Sequence, residues 1–357
     1  MPVTRHLATA VKLLVGLAAL AGIALAAGFY LGIRQLEAPY QGFAGEEIVV
    51  TIPAGASVRE SLDQLDRAGV LTRPLLARLY WKYRLEDPVL IAGEYRFRGP
   101  ASAIEVLQKI TRGEVLTHQV TVLEGLTYEE IAEHLAVSGF GVYDAFISEM
   151  SSPDRISDFD AEAGDLEGYL FPDTYAFSRG TSEASIVDTM VATFRARFAD
   201  ATALVGSETE YLSPRELVTL ASIVEKEALA DGERLIIAGV YANRLARGMG
   251  LYSDPTIIYA LKREGRWDGN LRRRDLEMDS PYNTYRVKGL PPSPICSPGL
   301  ASLEAAAAPA EVPYLYFVSR NDGTHVFATT LQEHNRNVYQ WQKLYWQRRW
   351  AEERGQQ

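Results

Sequence analysis

Residues Leu13 to Ile33, LLVGLAALAGIALAAGFYLGI, form an uncharged run of 21 residues between Lys12 and Arg34. At about 1.5 Å per residue, a helix of that length spans a hydrocarbon core of about 30 Å. The run outlasts an ordinary signal-peptide core, and Gly-Phe-Tyr-Leu-Gly continues it past Ala26 and Ala27 without a clear cleavage site. A signal anchor with a transmembrane helix at about 13–33 is therefore expected, and the lipid bilayer is the first partner. Arg5 and Lys12 precede the run and Arg34 follows it. That bias favours the short N-terminus in the cytoplasm, so everything after about residue 36 is expected on the other side.

The remaining chain has to fold in water. With 357 residues, 47% hydrophobic and 23% charged, it has material for two domains and a large core. A net charge of −10 without a large basic patch argues against nucleic acid as a partner. The single cysteine, Cys296, excludes an intrachain disulfide. Five scattered histidines without HExxH or CxxC spacing give no metal signature, so neither metal nor other cofactor is expected.

After a linker at 37–48, VVTIPAGASVRESLDQLDRAGVL (49–71) recurs as QVTVLEGLTYEEIAEHLAVSGFG (119–141). Thr51, Gly55, Ser57, Leu65 and Gly69 correspond to Thr121, Gly125, Thr127, Leu135 and Gly139 at a constant offset of 70. Each copy reads as a short strand, a glycine turn, and a helix opened by a capping box (Ser57 with Glu60, Thr127 with Glu130) and stopped by glycine. This pattern looks like a degenerate LysM type of peptidoglycan-binding module, and equally like any small αβ unit with good caps. Between the copies, Ala77 to Tyr83 reads as an aromatic-rich helix, Gly93 to Phe97 as a strand, and SAIEVLQKITRG as a helix.

From about Asp154 the chain turns acidic and loop-like before LEGYLFPDTYAF (166–177) and a helical period over Ile186 to Phe198. Ser213 with Glu216 makes another capping box, with Pro214 at the first helical position, and predicts a helix to about Leu229. On a wheel of about 100° per residue, Glu225 falls inside the apolar arc formed by Leu217, Val218, Leu220, Ala221, Val224, Ala228 and Leu229. Glu227 falls just beyond one edge of that arc, with Ser222 and Lys226 on the polar side. A carboxylate on a buried face loses hydration and keeps its proton near neutrality, as a general acid must; pairing with a core arginine is the alternative. Further on, Gly232 to Arg247 reads as a helix. SDPTIIYAL begins another with Asp254 as N-cap and Pro255 next. A Pro- and Gly-rich loop leads to an Ala-rich helix from Ser302. YLYFVSR and THVFATT close a hairpin around Asn321-Asp322-Gly323. A last helix, Asn335 to Glu353, carries Trp341, Trp346 and Trp350, which dock on the domain or meet a membrane surface.

LEGYLFPDTY, LASIVEKEA (220–228), NRL (243–245), SDPTIIYAL (253–261), YNTY (282–285), GLPPSPICSPG (289–299) and YLYFV (314–318) occur in this order. Together they resemble the YceG-like family of membrane-bound endolytic murein transglycosylases, over roughly residues 40 to 335. The resemblance implies a single inner-membrane anchor of a bacterium, a LysM-like subdomain and a periplasmic catalytic domain. It also implies lyase activity on the MurNAc–GlcNAc β-1,4 bond of nascent peptidoglycan strands, leaving 1,6-anhydro-MurNAc ends and terminating elongation, with peptidoglycan synthases as further partners. The family's active-site glutamate corresponds to Glu225 here. Cys296 stands where a small residue is more usual, and a buried cysteine behaves as a small hydrophobe. One carboxylate suffices for this chemistry, because the substrate's own C6 hydroxyl is the nucleophile, whereas hydrolases need two.

The expected architecture is α+β: cytoplasmic N-terminus and anchor at 1–36, a LysM-like αβ region at 37–153, a mixed α+β catalytic domain at 154–340, and a helix end and tail at 341–357. Substrate-binding candidates are Glu167, which orients a sugar or caps a turn; Asp254, an N-cap or a ligand; and Asn283 and Tyr285, which bind acetamido groups or stack on a sugar from the long loop. His325 reads as a strand-edge residue bonded to backbone. Two other classes compete. One is an acyl hydrolase built on Ser222 and Lys226 at i, i+4, and the other a wall-binding scaffold in which Glu225 is structural.

Overall fold

A computed structural model of the chain describes residues 3–53, 55–85, 88–203, 212–347 and 349, without the side chains of 3–14 and 231. The chain forms two compact units, one of residues 1–118 and 176–181, the other of 119–175 and 182–357. The division falls between the two copies of the repeat. The second copy thus belongs to the larger unit, whereas the sequence placed that boundary at 153–154.

The first unit opens with α1 (Val3–Glu37), whose stretch Val15–Glu37 has a mean hydropathy of 1.9 and is long and apolar enough to cross a membrane. Leu17, Leu20, Ile23 and Leu25 all stand outward, while Leu36 at its end is buried in the unit's core. There follow β1 (Glu47–Ile52), α2 (Val58–Arg67), α3 (Pro74–Arg84), β2 (Gly93–Arg98) and α4 (Ala103–Thr111). β1 and β2 pair antiparallel, from Glu47 opposite Arg98 to Ile52 opposite Gly93. The alternation that buries Val50 and Ile52 also buries Tyr95 and Phe97, as a sheet with one face on a core requires. Leu62, Leu65, Ala77, Trp81, Val106, Leu107 and Ile110 fill that core from the helices.

The larger unit takes in α5 (Tyr128–Val137), α6 (Tyr143–Met150), α7 (Glu183–Thr202), α8 (Pro214–Glu227), α9 (Arg234–Ala246), α10 (Asp254–Arg263) and α11 (Leu300–Ala307). The hairpin β5 (Tyr316–Ser319) and β6 (His325–Ala328), and then α12 (Leu331–Val338), complete it. The short strands β3 (Thr117–Thr121) and β4 (Thr174–Ser178) pair as a two-stranded ribbon. α8 lies at the centre of the larger unit and packs against α9, α10 and α11. The fold is thus mixed α+β, as expected.

Local chemistry explains most boundaries. Both predicted capping boxes of the repeat form, as does that of Ser213 with Glu216, each contributing about 1 kcal/mol. Gly69 and Gly139 follow the helix ends with φ of +73° and +78°, and Gly55 and Gly125 match at +78° and +76°, so the two copies share backbone geometry as well as sequence. α10 starts one residue earlier than predicted: Ser253 is its N-cap, without a side-chain bond, and Asp254 is the first helical residue. The last helical stretch starts at Leu331, capped by Thr330 with Glu333, and continues as a π-helical turn at Tyr339–Leu344. Trp341 receives Asn321 at its carbonyl and Arg320 over its ring at 5.6 Å, which docks this turn on the hairpin. Trp350 lies outside the described residues.

Leu107→Ala, at a fully buried position, is expected to lower stability by about 2–5 kcal/mol, whereas the surface change Arg59→Ala stays within about 0.5 kcal/mol. Denaturant unfolding of the full chain in detergent measures both.

Candidate active site

The ordered sequence motifs converge on the second half of α8. Arg215, in its first turn, donates from Nε to Pro292 O at 2.8 Å and from Nη1 to the buried Asp160 at 2.6 Å. One turn before the end, Ser222 is fully buried, donates to Thr219 O at 2.7 Å and accepts Ile295 N at 3.0 Å. The polar face assigned to Ser222 by the wheel is thus a packed face covered by the 289–299 loop. Its hydroxyl is spent on backbone, Lys226 donates instead to Gly125 O at 3.1 Å, and no Ser–Lys pair forms. Cys296 donates from Sγ to Ser222 O at 3.3 Å, and burial pushes its thiol well up, so it fills space as an inert small side chain.

Glu225 follows, its side chain 7% exposed. Oε2 accepts Gly299 N at 3.0 Å and Ser302 Oγ at 2.7 Å. Gly299 is the N-cap of α11 and has no side chain with which to cap it, so the carboxylate of Glu225 caps that helix from outside, where the helix dipole favours negative charge. On the other oxygen, Arg234 Nη2 stands 3.7 Å from Oε1 and 4.0 Å from Glu124 Oε2. Glu124 is half-exposed, and its Oε1 comes so close to Gly299 that a Cβ there would stand 1.9 Å from it. Gly125, at φ +76°, brings the second copy of the repeat over Glu225, and is locked to the loop by Gly125 N to Ser297 O and Ser297 N to Leu126 O. The site therefore combines one largely buried carboxylate, one half-exposed carboxylate, and a guanidinium near both.

Glu227 is partly buried, at the edge where the wheel put it. Its Oε1 accepts Ser253 Oγ at 2.7 Å and Tyr241 OH at 3.0 Å. Burial pushes its carboxyl above the usual range, against the pull of those two donors. α8 ends at Glu227 because Ala228 turns extended, φ −82° and ψ 109°. Leu229 is therefore 78% exposed instead of joining the apolar face.

The other candidates separate. Tyr285 OH donates to Asp254 Oδ1 at 2.7 Å and packs edge-on against Tyr252 at 5.4 Å. Tyr252 sits at φ +49° with Arg244 over its ring at 5.7 Å. This partly exposed aromatic group adjoins Ser253 and hence Glu227. Asn283, by contrast, is fully buried and gives its amide to Leu276 O and Met278 O. Glu167 is 1% exposed and accepts Tyr128 N at the start of α5; burial, then the Asp165 charge, push its carboxyl well up. Both lie buried, where Glu167 holds the start of α5 and Asn283 holds its own loop. His325 pairs with the carboxylate of Glu233, Nδ1 to Oε2 at 2.7 Å, rather than with backbone. Sequence reasoning missed Glu124, Arg234, Tyr252 and Ser302. Only Glu124, beside a repeat-matched glycine, carried a local signal.

The YceG-like family model matches residues 50–340. A Bacillus subtilis (strain 168) protein named endolytic murein transglycosylase is 32% identical over 332 residues, covering 87% of this chain and 89% of its own. A Streptococcus pneumoniae (strain D39) protein of the same name is 30% identical over 349 residues, which cover 88% of this chain but 62% of that longer protein. The crystal structure of a putative yceG-like protein from Listeria monocytogenes aligns over 82% of this chain and 99% of its own, with a TM-score of 0.54 at 32% identity.

Native carboxyls that hold their protons above the ordinary value of 4.5 make the folded state bind more protons than the unfolded one. Their support for stability is full below about pH 4.5 and is lost as pH rises through the raised native values. Glu227→Gln and Glu167→Gln are each expected to flatten the fall in unfolding free energy above pH 4.5, measured by denaturant titration across pH. An unchanged slope in both variants contradicts the assignment.

Proposed function

Because the chain belongs to the YceG-like family, we propose that it is a membrane-anchored endolytic murein transglycosylase in which Glu225 is the catalytic residue. The observation that carries this is the setting of Glu225, a largely buried carboxylate on the family's A-S-I-V-E-K-E helix, facing Gly299 N, Ser302 Oγ and Arg234.

In the reaction, protonated Glu225 gives its proton to the glycosidic oxygen between MurNAc and GlcNAc. The C1–O4 bond breaks and an oxocarbenium-like centre forms at C1. The Gly299 amide, the Ser302 hydroxyl and the Arg234 guanidinium stabilise the carboxylate that results. That carboxylate then removes the proton of the substrate's C6 hydroxyl as its oxygen closes on C1, leaving a 1,6-anhydro-MurNAc end and a protonated Glu225. No water enters the products. Tyr252, Tyr285 and Asp254 are assigned to sugar binding, as an aromatic surface with a carboxylate at its edge. Glu167 and Asn283 are scaffolding.

The anchor at 1–36 holds the chain in the bacterial cytoplasmic membrane, with its N-terminus inside and the catalytic part at 154–340 on the periplasmic side, where nascent strands and their synthases are. The LysM-like assignment, within 37–153, is supported by the order β1–α2–α3–β2 with antiparallel pairing. The second copy of the repeat serves catalysis instead, by carrying Glu124 and Gly125 to Glu225.

One observation favours a second reading. Glu124 and Glu225 approach the same Arg234 nitrogen, so their carboxylates lie no more than about 8 Å apart, close enough for the pair of carboxylates that a hydrolase uses. Incubating the full chain in detergent with glycan strands and weighing the new ends separates the two. Anhydro ends, reduced by about 10²–10⁴-fold in Glu225→Gln and only a few-fold in Glu124→Gln, are expected. Reducing ends that vanish in both variants would make the protein a hydrolase. Glu227→Gln keeps the shape of a protonated carboxyl and is expected to retain most activity.

A further inference from the structure

One face of α3 is turned outward and apolar. Leu75, Leu79 and Tyr83, at i, i+4 and i+8, are 77%, 54% and 69% exposed, while Ala77 and Trp81 on the opposite side lie in the core of the first unit. Leu76 and Tyr80, with Leu79 and Tyr83 of the outward stripe, form one wall of an apolar groove of about 340 Å³ whose other wall is α1, from Gly28 to Leu36. Exposed Arg78 and Lys82 run along the far edge of the outward stripe, and Arg84 closes the helix. In water such a stripe is an unpaid cost, and its position says what covers it. Gly28 to Leu36 are the last turns of the apolar span Val15–Glu37. They rise about 12 Å, so a helix packed beside them stands where acyl chains give way to headgroups.

We propose that α3 is an interfacial helix and that the α1–α3 groove takes an acyl chain of an anionic phospholipid of the bilayer that α1 crosses. Leu75, Leu79 and Tyr83 enter the acyl boundary, and Arg78, Lys82 and Arg84 lay their stems along it and reach lipid phosphates with their charged ends. The proposal rests on the reading of α1 as a membrane span. It goes beyond anchoring, because it fixes the first unit against the membrane surface instead of leaving it on a free stalk.

Cys296 is buried, so single cysteines can be introduced and spin-labelled in the full chain. Leu79→Cys tests the stripe, Leu20→Cys reports on the anchor, and Arg59→Cys, on the exposed face of α2, reports on water. In nanodiscs of phosphatidylcholine with phosphatidylglycerol, labels at 20 and 79 are expected to collide preferentially with oxygen and the label at 59 with a water-soluble nickel chelate. A nickel-dominated label at 79 beside an oxygen-dominated one at 20 overturns the docking and leaves the anchor standing. Nickel-dominated labels at both remove the anchor and the docking with it, and a label at 79 shielded from both reagents means that protein covers the stripe, which also overturns the proposal. For the groove, native mass spectrometry of chains released from the discs is expected to find a retained phosphatidylglycerol on the wild type and at least tenfold less on Gly28→Phe. Gly28 lines the groove and a Cβ there meets nothing within 4 Å, so a ring at this position has room at its root, and an unchanged thermal midpoint checks that the fold is kept. Equal retention overturns the assignment of the groove.

Discussion

A carboxylate from one helix caps another. Oε2 of Glu225 satisfies the N-terminus of α11 through Gly299 N and Ser302 Oγ, and much of the larger unit is arranged so that it can. Burying a carboxyl group without hydrogen-bond partners is costly, and here the compensating donors come from a stretch 74 residues away. The 289–299 loop must therefore be held with precision. Arg215 holds it at Pro292, Ser222 at Ile295, and Gly125 and Leu126 at Ser297. At Gly299 the carboxylate of Glu124 occupies the space a side chain would take, so a larger residue there displaces Glu124 from its place beside Arg234.

A second buried layer supports the first. Glu227 is tied to Tyr241 on α9 and to Ser253 ahead of α10. Ser253 N is met by Thr284 Oγ1, which also bonds Thr256. Arg244, on the same helix as Tyr241, donates from Nε to Leu315 O at 2.6 Å and lies over both Tyr252 and Tyr316; Asn243 beside it holds Val312 O and Tyr314 O. The motif residues are thus mostly partners of one another. Polar networks of this kind are costly when half-satisfied and rigid when complete, and this one fixes the end of α8 on which Glu225 stands.

Features set by neighbours in the chain were legible in the sequence. Capping boxes, glycine stops, the repeat and the closing hairpin all appear where local chemistry put them, and a helix period alone marks Glu225 as a charge within an apolar arc. Errors came where tertiary contacts decide. The wheel ran α8 on to Leu229, but the chain leaves the helix at Ala228, and it called Ser222 polar-faced because the covering loop is more than 70 residues away. Asn283 and Glu167 looked available because a loop's burial leaves no periodic trace. Glu124 was overlooked for the same reason: its meeting with Arg234 across 110 residues is a product of the fold.

In the proposed reaction Glu225 is the group at the bond that breaks, with Glu124 beside it in a lesser role. A structure of the Glu225→Gln chain with a bound MurNAc–GlcNAc oligomer tests this most directly. The glycosidic oxygen is expected within about 3.2 Å of the side chain at position 225, with the C6 hydroxyl of the same MurNAc on the same side. A glycosidic oxygen seated against Glu124 instead, with position 225 still bonded only to Gly299 and Ser302, would contradict it.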